Sequence, residues 1–169
     1  MNDHSDTFCR LSDYLERAMA LKTALILMEW DNETLAPEEA GSRTSRMQGA
    51  LSAAYQALMT SDELMGLLQA CHQEDLSENE GAIVREALEE REQLMCIPPE
   101  EYRAYQELVA ESTRIWTKAR ENQDFEAFAS TLEQIISYQK KFASYRAKNG
   151  QKLYDVMLDT YILRSEERF

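Results

Sequence analysis

Apolar residues recur along this chain at spacings of three and four from Phe8 almost to the end, the period of a helix with one buried face. Asp6 is placed to cap a first helix with the stripe Phe8, Leu11, Leu15, Ala18, Leu25 and Met28. Pro37 suits the first position of a second helix, with Glu38 and Glu39 in its opening turn near the positive end of the helix dipole. The pattern there predicts an inward face of Ala40, Thr44, Met47, Leu51, Ala54 and Leu58. Ser61 starts a short third helix that turns Leu64, Leu67, Leu68 and Cys71 inward. Ser77 and Glu80 form a capping box ahead of a fourth helix facing inward through Ile83, Ala87, Arg91 and Leu94. Pro98-Pro99 opens a fifth, with Tyr102, Tyr105, Val109, Ser112, Trp116 and Ala119 on one side. Asp124 caps a sixth carrying Phe125, Phe128, Leu132, Ile135, Gln139 and Phe142, stopped at Asn149-Gly150. A shorter helix is expected from Leu153 to Tyr161. No strand-like alternation of useful length is present. The pattern predicts an all-α fold of six to seven mostly antiparallel helices.

One part of the pattern does not fit a surface helix. Between Leu21 and Met28 the first helix is apolar nearly all round, broken only by Lys22 and Thr23. A helix apolar on every side expects burial on every side. Helices of a small bundle cover one or two faces of a neighbour, so Ile26, Leu27 and nearby residues are expected to stay partly exposed, as a patch awaiting a larger body.

Composition narrows the function. With 169 residues and no Pro- or Gly-rich linker, the simplest reading is a single helical domain over 1–169. The chain has 18 Lys plus Arg against 31 Asp plus Glu, a net charge of −13 that repels phosphate backbones and anionic lipid. Nucleic-acid and membrane partners are therefore not expected. Three Cys without close spacing, together with an acidic N-terminus, point to reduced thiols in the cytoplasm. The apolar run Ala18 to Met28 is too short to span a bilayer.

Candidate chemistry is sparse. A hydrolytic zinc of the His-Glu-x-x-His type needs two His one helical turn apart, a third ligand and a Glu acting on the bound water. The two His here, His4 and His72, are far apart, and Gln69 stands where a Glu-x-x-His pair would need its Glu. Cys9, Cys71 and Cys96 make no Cys-x-x-Cys spacing, and no Gly-rich phosphate loop appears. No catalytic residue and no metal ligand can be assigned, and no cofactor is expected on this chain itself. The aromatic positions Tyr102, Tyr105, Trp116, Phe125 and Phe128 could be read as a ligand box, but their helical spacing favours ordinary core.

The most specific segment is Trp30-Asp31-Asn32-Glu33-Thr34, followed by Pro37 and Arg43. Asp31, Asn32 and Thr34 bond readily to nearby backbone and build turns, so the segment reads first as a helix-joining turn with Trp30 as its packing anchor. Arg43 would clip Asp31 or Glu33. Direct contact with a substrate, including a grasp of its carboxylate by Arg43, is the sharper alternative. The segment resembles the Trp-Asp-x-Glu-Thr-x-x-Pro segment of the zinc carboxypeptidases of the Taq type, the M32 family. The similarity continues through Pro98, Trp116-Thr117-Lys118-Ala119-Arg120, Asp124-Phe125-Glu126-Ala127-Phe128, Leu132-Glu133 and Tyr154 to Tyr161.

That resemblance implies the N-terminal helical part of a zincin-like fold. It further implies an enzyme that releases C-terminal residues from peptides with a water activated by zinc or another divalent metal. Such a water reaches a pKa of about 7. The family's members are several-fold longer, and their His-Glu-x-x-His helix lies beyond this sequence. The chain is thus expected to be an inactive fragment, binding no metal, whose partners are the missing catalytic portion or a second copy. In the family, the Tyr154 to Tyr161 segment leads on to a Glu-Pro-Gly turn. Residues 162–169 depart from that pattern, as a frameshift, a premature stop or a split gene would make them. A free-standing acidic helical module that binds another protein is the alternative. A helix-bundle metalloprotein ranks behind both, since Glu-x-x-His is missing.

Overall fold

In the computed structural model, residues 6–148 and 150–159 are described, and all regular structure among them is helical. The helices are α1 (Asp6–Thr34), α2 (Gly41–Met59), α3 (Asp62–Cys71), α4 (Glu78–Met95), α5 (Pro99–Glu121), α6 (Glu126–Arg146) and α7 (Leu153–Asp159). A single 3-10 turn, Glu38–Ala40, precedes α2. The chain groups into two compact units, Met1–Glu111 and Ser112–Phe169.

The first unit is built around one core. Phe8, Leu11, Tyr14 and Ala18 of α1 meet Tyr55 and Met59 of α2, Leu64, Leu67, Leu68 and Cys71 of α3, and Val84, Ala87 and Leu94 of α4. Each junction is tied by local chemistry. The Ser61 hydroxyl accepts from Leu64 N at 3.1 Å, capping α3, and lies 2.7 Å from the Tyr14 hydroxyl, which also donates to Leu58 O. The Ser77–Glu80 capping box forms as expected, with Ser77 N donating to Glu80 Oε2 at 2.8 Å. The predicted inner face of α3 is buried in full.

The predicted inner face of α2 holds only in part, with Ala40, Thr44, Leu51 and Leu58 half-buried. Met47 and Ala54 are exposed, while Ser45, Gln48, Gly49, Ser52, Tyr55, Gln56 and Met59 are buried. Gln56 goes inside because partners wait for it there. The Gln56 amide donates to Leu94 O and Ile97 O at 3.2 and 2.9 Å, closing the end of α4. In return Arg91, buried on α4, donates to Met59 O at 3.2 Å and closes the end of α2. Met59 O is one of the helix-end carbonyls without an intrahelical partner, whereas Leu94 O also accepts from Ile97 N. Ser45 and Gly49 are small where the Glu111 and Glu107 side chains of α5 come close, and a methyl at Gly49 would collide with Glu107. On α4 the predicted face holds at Ala87, Arg91 and Leu94, and only its first position differs: Val84 is buried, and Ile83 is exposed.

The second unit has a smaller core of Ala119, Thr131, Phe142, Ala143 and Val156. Trp116 packs on Phe128 with ring centroids 5.4 Å apart. The α5–α6 turn closes through Asp124 N donating to Ala119 O at 2.8 Å, with Gln123 in a left-handed conformation. Asp124 then accepts from Ala127 N at 3.2 Å, as a cap for α6. Regular helix ends at Arg146 with Ala147 extended, ahead of the Asn149-Gly150 stop expected, and Gly150 is left-handed with φ +84°. Of the aromatic positions expected in core, Trp116 and Phe125 are exposed, Phe125 in the capping turn, while Tyr102, Tyr105 and Phe128 are half-buried. Asn149, Tyr161 and residues 162–169 lie outside the described residues.

Candidate functional site

The segment singled out from sequence is not a turn. Trp30 to Thr34 forms the last turn of α1, where the Thr34 hydroxyl donates back to Trp30 O at 2.6 Å. Asp31 O then accepts from both Leu35 N and Ala36 N at 2.9 Å, ending the helix. The 3-10 turn Glu38–Ala40 follows Pro37 and delays α2 to Gly41, so Glu38 and Glu39 lie in that turn and not in α2. Trp30 is 57% exposed and does not anchor packing. Asp31, Glu33, Thr34 and Arg43 are exposed too, and the ion pairs found among the described residues, Lys22–Glu90 and Arg103–Glu107, join other partners.

The exposed Trp30 continues an apolar ridge. Met19, Ile26, Leu27, Trp30 and Leu35 all face solvent, with Ile26 at 59% and Leu27 at 61% exposure. Helix α1 therefore has two parts, one sunk in the core through Ala18 and one standing clear of it. Within the all-round apolar stretch Ile26 and Leu27 stay exposed, as its pattern predicts, while Leu21, Ala24, Leu25 and Met28 are half-buried.

A second constellation was not visible in the sequence. Near the middle of α1, an open groove of about 410 Å³ runs over α2 towards α4. Lys22 Nζ pairs with Glu90 Oε1 at 3.2 Å and lies 5.6 Å from the centre of the Tyr55 ring. The Tyr55 hydroxyl donates to the same carboxylate oxygen at 2.5 Å. Burial pushes the Tyr55 phenol well above its ordinary range, and the Glu90 bond and charge push it further. The phenol is accordingly a donor and not a base. Lys22 was the one signal available, as a lone cation inside an apolar run.

His72 and Cys71 belong to no such constellation. His72 lines a cavity of about 440 Å³ with Met65, Leu68, Gln69, Gln73, Val84 and Leu88, none of them a metal ligand of the usual kind. The Cys71 thiol is raised by burial, then by Glu74 and Glu80, which makes it a packing residue and a poor nucleophile. Among the described residues no group of three or more His, Cys, Asp and Glu is placed to hold a metal ion. This donor set does not fit a catalytic zinc. No described helix is long and apolar enough to cross a membrane.

Comparison with known proteins agrees with the family resemblance. The chain is 32% identical over 151 residues to Carboxypeptidase 1 of Bacillus subtilis strain 168, covering 88% of this chain and 30% of that protein. It is 30% identical over 158 residues to Thermostable carboxypeptidase 1 of Pyrococcus furiosus, covering 93% and 32%. The BsuCP crystal structure superposes with a TM-score of 0.87 at 28% identity, across 97% of this chain and 34% of that one. The chain thus spans about a third of the length of the relatives it matches. The model of the Carboxypeptidase Taq (M32) metallopeptidases matches residues 10–163, and the chain belongs to that family.

Proposed function

We propose that this chain supplies the N-terminal helical part of a metal-dependent carboxypeptidase, an enzyme that releases C-terminal residues from peptides. On this reading it is inactive until joined by a catalytic portion that carries the metal. The observation that carries the reading is the 0.87 TM-score over nearly the whole chain, set against coverage of only 34% of the matched structure. The uncovered ridge of Ile26, Leu27 and Trp30 supports it, because a large apolar surface of this kind is where a further body would dock. Among the described residues no group is placed to hold a zinc ion, and no step of hydrolysis is assigned to them. Trp30, Asp31, Glu33, Thr34 and Arg43 would act by shaping the edge of the peptide cleft. A second copy docking through the same ridge is the other form of assembly, and the acidic charge and unpaired thiols suit the cytoplasm.

The test is complementation. The chain is mixed with Bacillus subtilis Carboxypeptidase 1 lacking its matching segment, and C-terminal residue release is followed with and without a chelator. Release that requires both parts and is lost on chelation is expected. Chelator-sensitive release by this chain alone would refute the reading. So would failure of the two parts to bind, which would leave the free-standing interaction module, a reading favoured by the well-capped core of the first unit.

A further inference from the structure

We propose that the groove between α1 and α4 binds a short basic amphipathic helix of another protein. Its floor is apolar, with Met59 and Ala87 buried beneath and Met19 and Ile83 exposed at its edges. Its charged lining is Glu16, Glu86 and Glu90 against Lys22 alone, three carboxylates and one ammonium, a net of −2. Lys22 is already held by Glu90, and both described partners of Glu90 meet Oε1, so Oε2 keeps its capacity to accept. Glu16 and Glu86 are exposed.

Charge decides among occupants. A second copy of this chain carries −13, and its own apolar ridge is interleaved with Glu29, Asp31 and Glu33, so like charges would meet. Nucleic acid and anionic lipid are repelled for the same reason. A basic helix satisfies both features, laying apolar anchors at i, i+3 and i+4 on the floor while flanking Arg or Lys meet the rim. The volume falls within the roughly 300–1,000 Å³ of small binding clefts, enough for a few anchoring side chains and not a whole domain. Tyr55 stabilises this arrangement as a positioning residue: its hydroxyl holds Glu90 in place from below. The proposal is independent of the peptidase reading.

The experiment uses the full chain and a synthetic helical peptide with Leu along one face and Arg on its flanks. A twin peptide with Glu for every Arg serves as control. Fluorescence anisotropy should show binding of the Arg peptide that weakens with added salt and little binding of the twin. Amide-resonance shifts should centre on α1 and α4 around Glu16, Met19, Ile83 and Glu86. The double variant Glu16→Lys/Glu86→Lys changes only exposed residues, and its fold is checked by circular dichroism. It should weaken the Arg peptide by roughly tenfold or more and strengthen the Glu twin. Equal binding of the two peptides by the parent chain, no binding of either, unchanged affinity in the double variant, or shifts centred on the Trp30 ridge would each overturn the proposal.

Discussion

The two parts of α1 have similar apolar content and opposite fates. Phe8, Leu11, Tyr14 and Ala18 are buried among three other helices, whereas Ile26, Leu27 and Trp30 of the same helix are more than half exposed. The buried part is a narrow stripe with polar residues between its members, and each stripe position meets a partner. The exposed part is apolar on too many sides for one neighbour to cover. Hydrophobicity alone does not decide burial. A stripe can be matched by a small bundle, but a fully apolar segment needs more protein than this chain offers.

Truncation at matched positions gives the largest expected contrast. Leu11→Ala removes a fully buried side chain and should cost about 2–5 kcal/mol in urea unfolding. Leu27→Ala should lie within about 0.5 kcal/mol of the parent, as expected for a surface site. The same Leu27 change should reduce binding of a hydrophobic dye, while a destabilised Leu11 variant should raise it. A Leu27→Ala cost equal to that of Leu11→Ala would mean the ridge is covered in solution.

The boundary between the two parts lies near Lys22, where Tyr55 donates to Glu90. Tyr55→Phe should destabilise by about 1.5–3 kcal/mol, the range for a hydrogen bond to a charged group. Its pH dependence has a definite sign. The phenol ionises less readily folded than unfolded, so the unfolded chain loses its proton first as pH rises. The contribution is therefore complete below the unfolded value of 10.0 and is lost as pH climbs beyond it. Unfolding measured between neutral and strongly alkaline pH should show a shallower alkaline loss in Tyr55→Phe than in the parent. Parallel curves would show that the phenol gains nothing from its burial.

The smallest effect is expected beyond the exposed end of α1. Arg43 lies in solvent near the start of α2, as do Asp31 and Glu33 at the end of α1. Arg43→Ala should thus change stability by no more than the roughly 0–1 kcal/mol of an exposed charge pair. A melting experiment giving a loss several times larger would restore the buried clip that the sequence suggests.

Helix positions and several ends were legible because their causes are local. Ser61 and Leu64, Ser77 and Glu80, and Asp124 and Ala127 are three residues apart, so their caps need nothing from the rest of the chain. The inner face of α3 was legible for a similar reason, since Leu64, Leu67, Leu68 and Cys71 share one face and leave no equal competing stripe. The inner face of α2 was legible only in part. Both of its faces carry plausible residues, and the choice depended on carbonyls at the end of α4 and carboxylates on α5. Gln48 shows the cost of that choice, as its buried Oε1 has no hydrogen-bond partner.

The same division holds for the candidate sites. The Trp30 segment and its family were readable from residue order, while the exposure of Trp30 was not, because a tryptophan reads as an anchor until its neighbours are known. Lys22, Tyr55 and Glu90 are distant in sequence and belong to three helices, so no local pattern could bring them together. Sequence by itself determined what each segment becomes, since hydrogen bonding and capping within a helix act over three or four residues. Only the tertiary structure decided which faces are buried and which charges meet, since those energies depend on groups that the chain brings together from far apart.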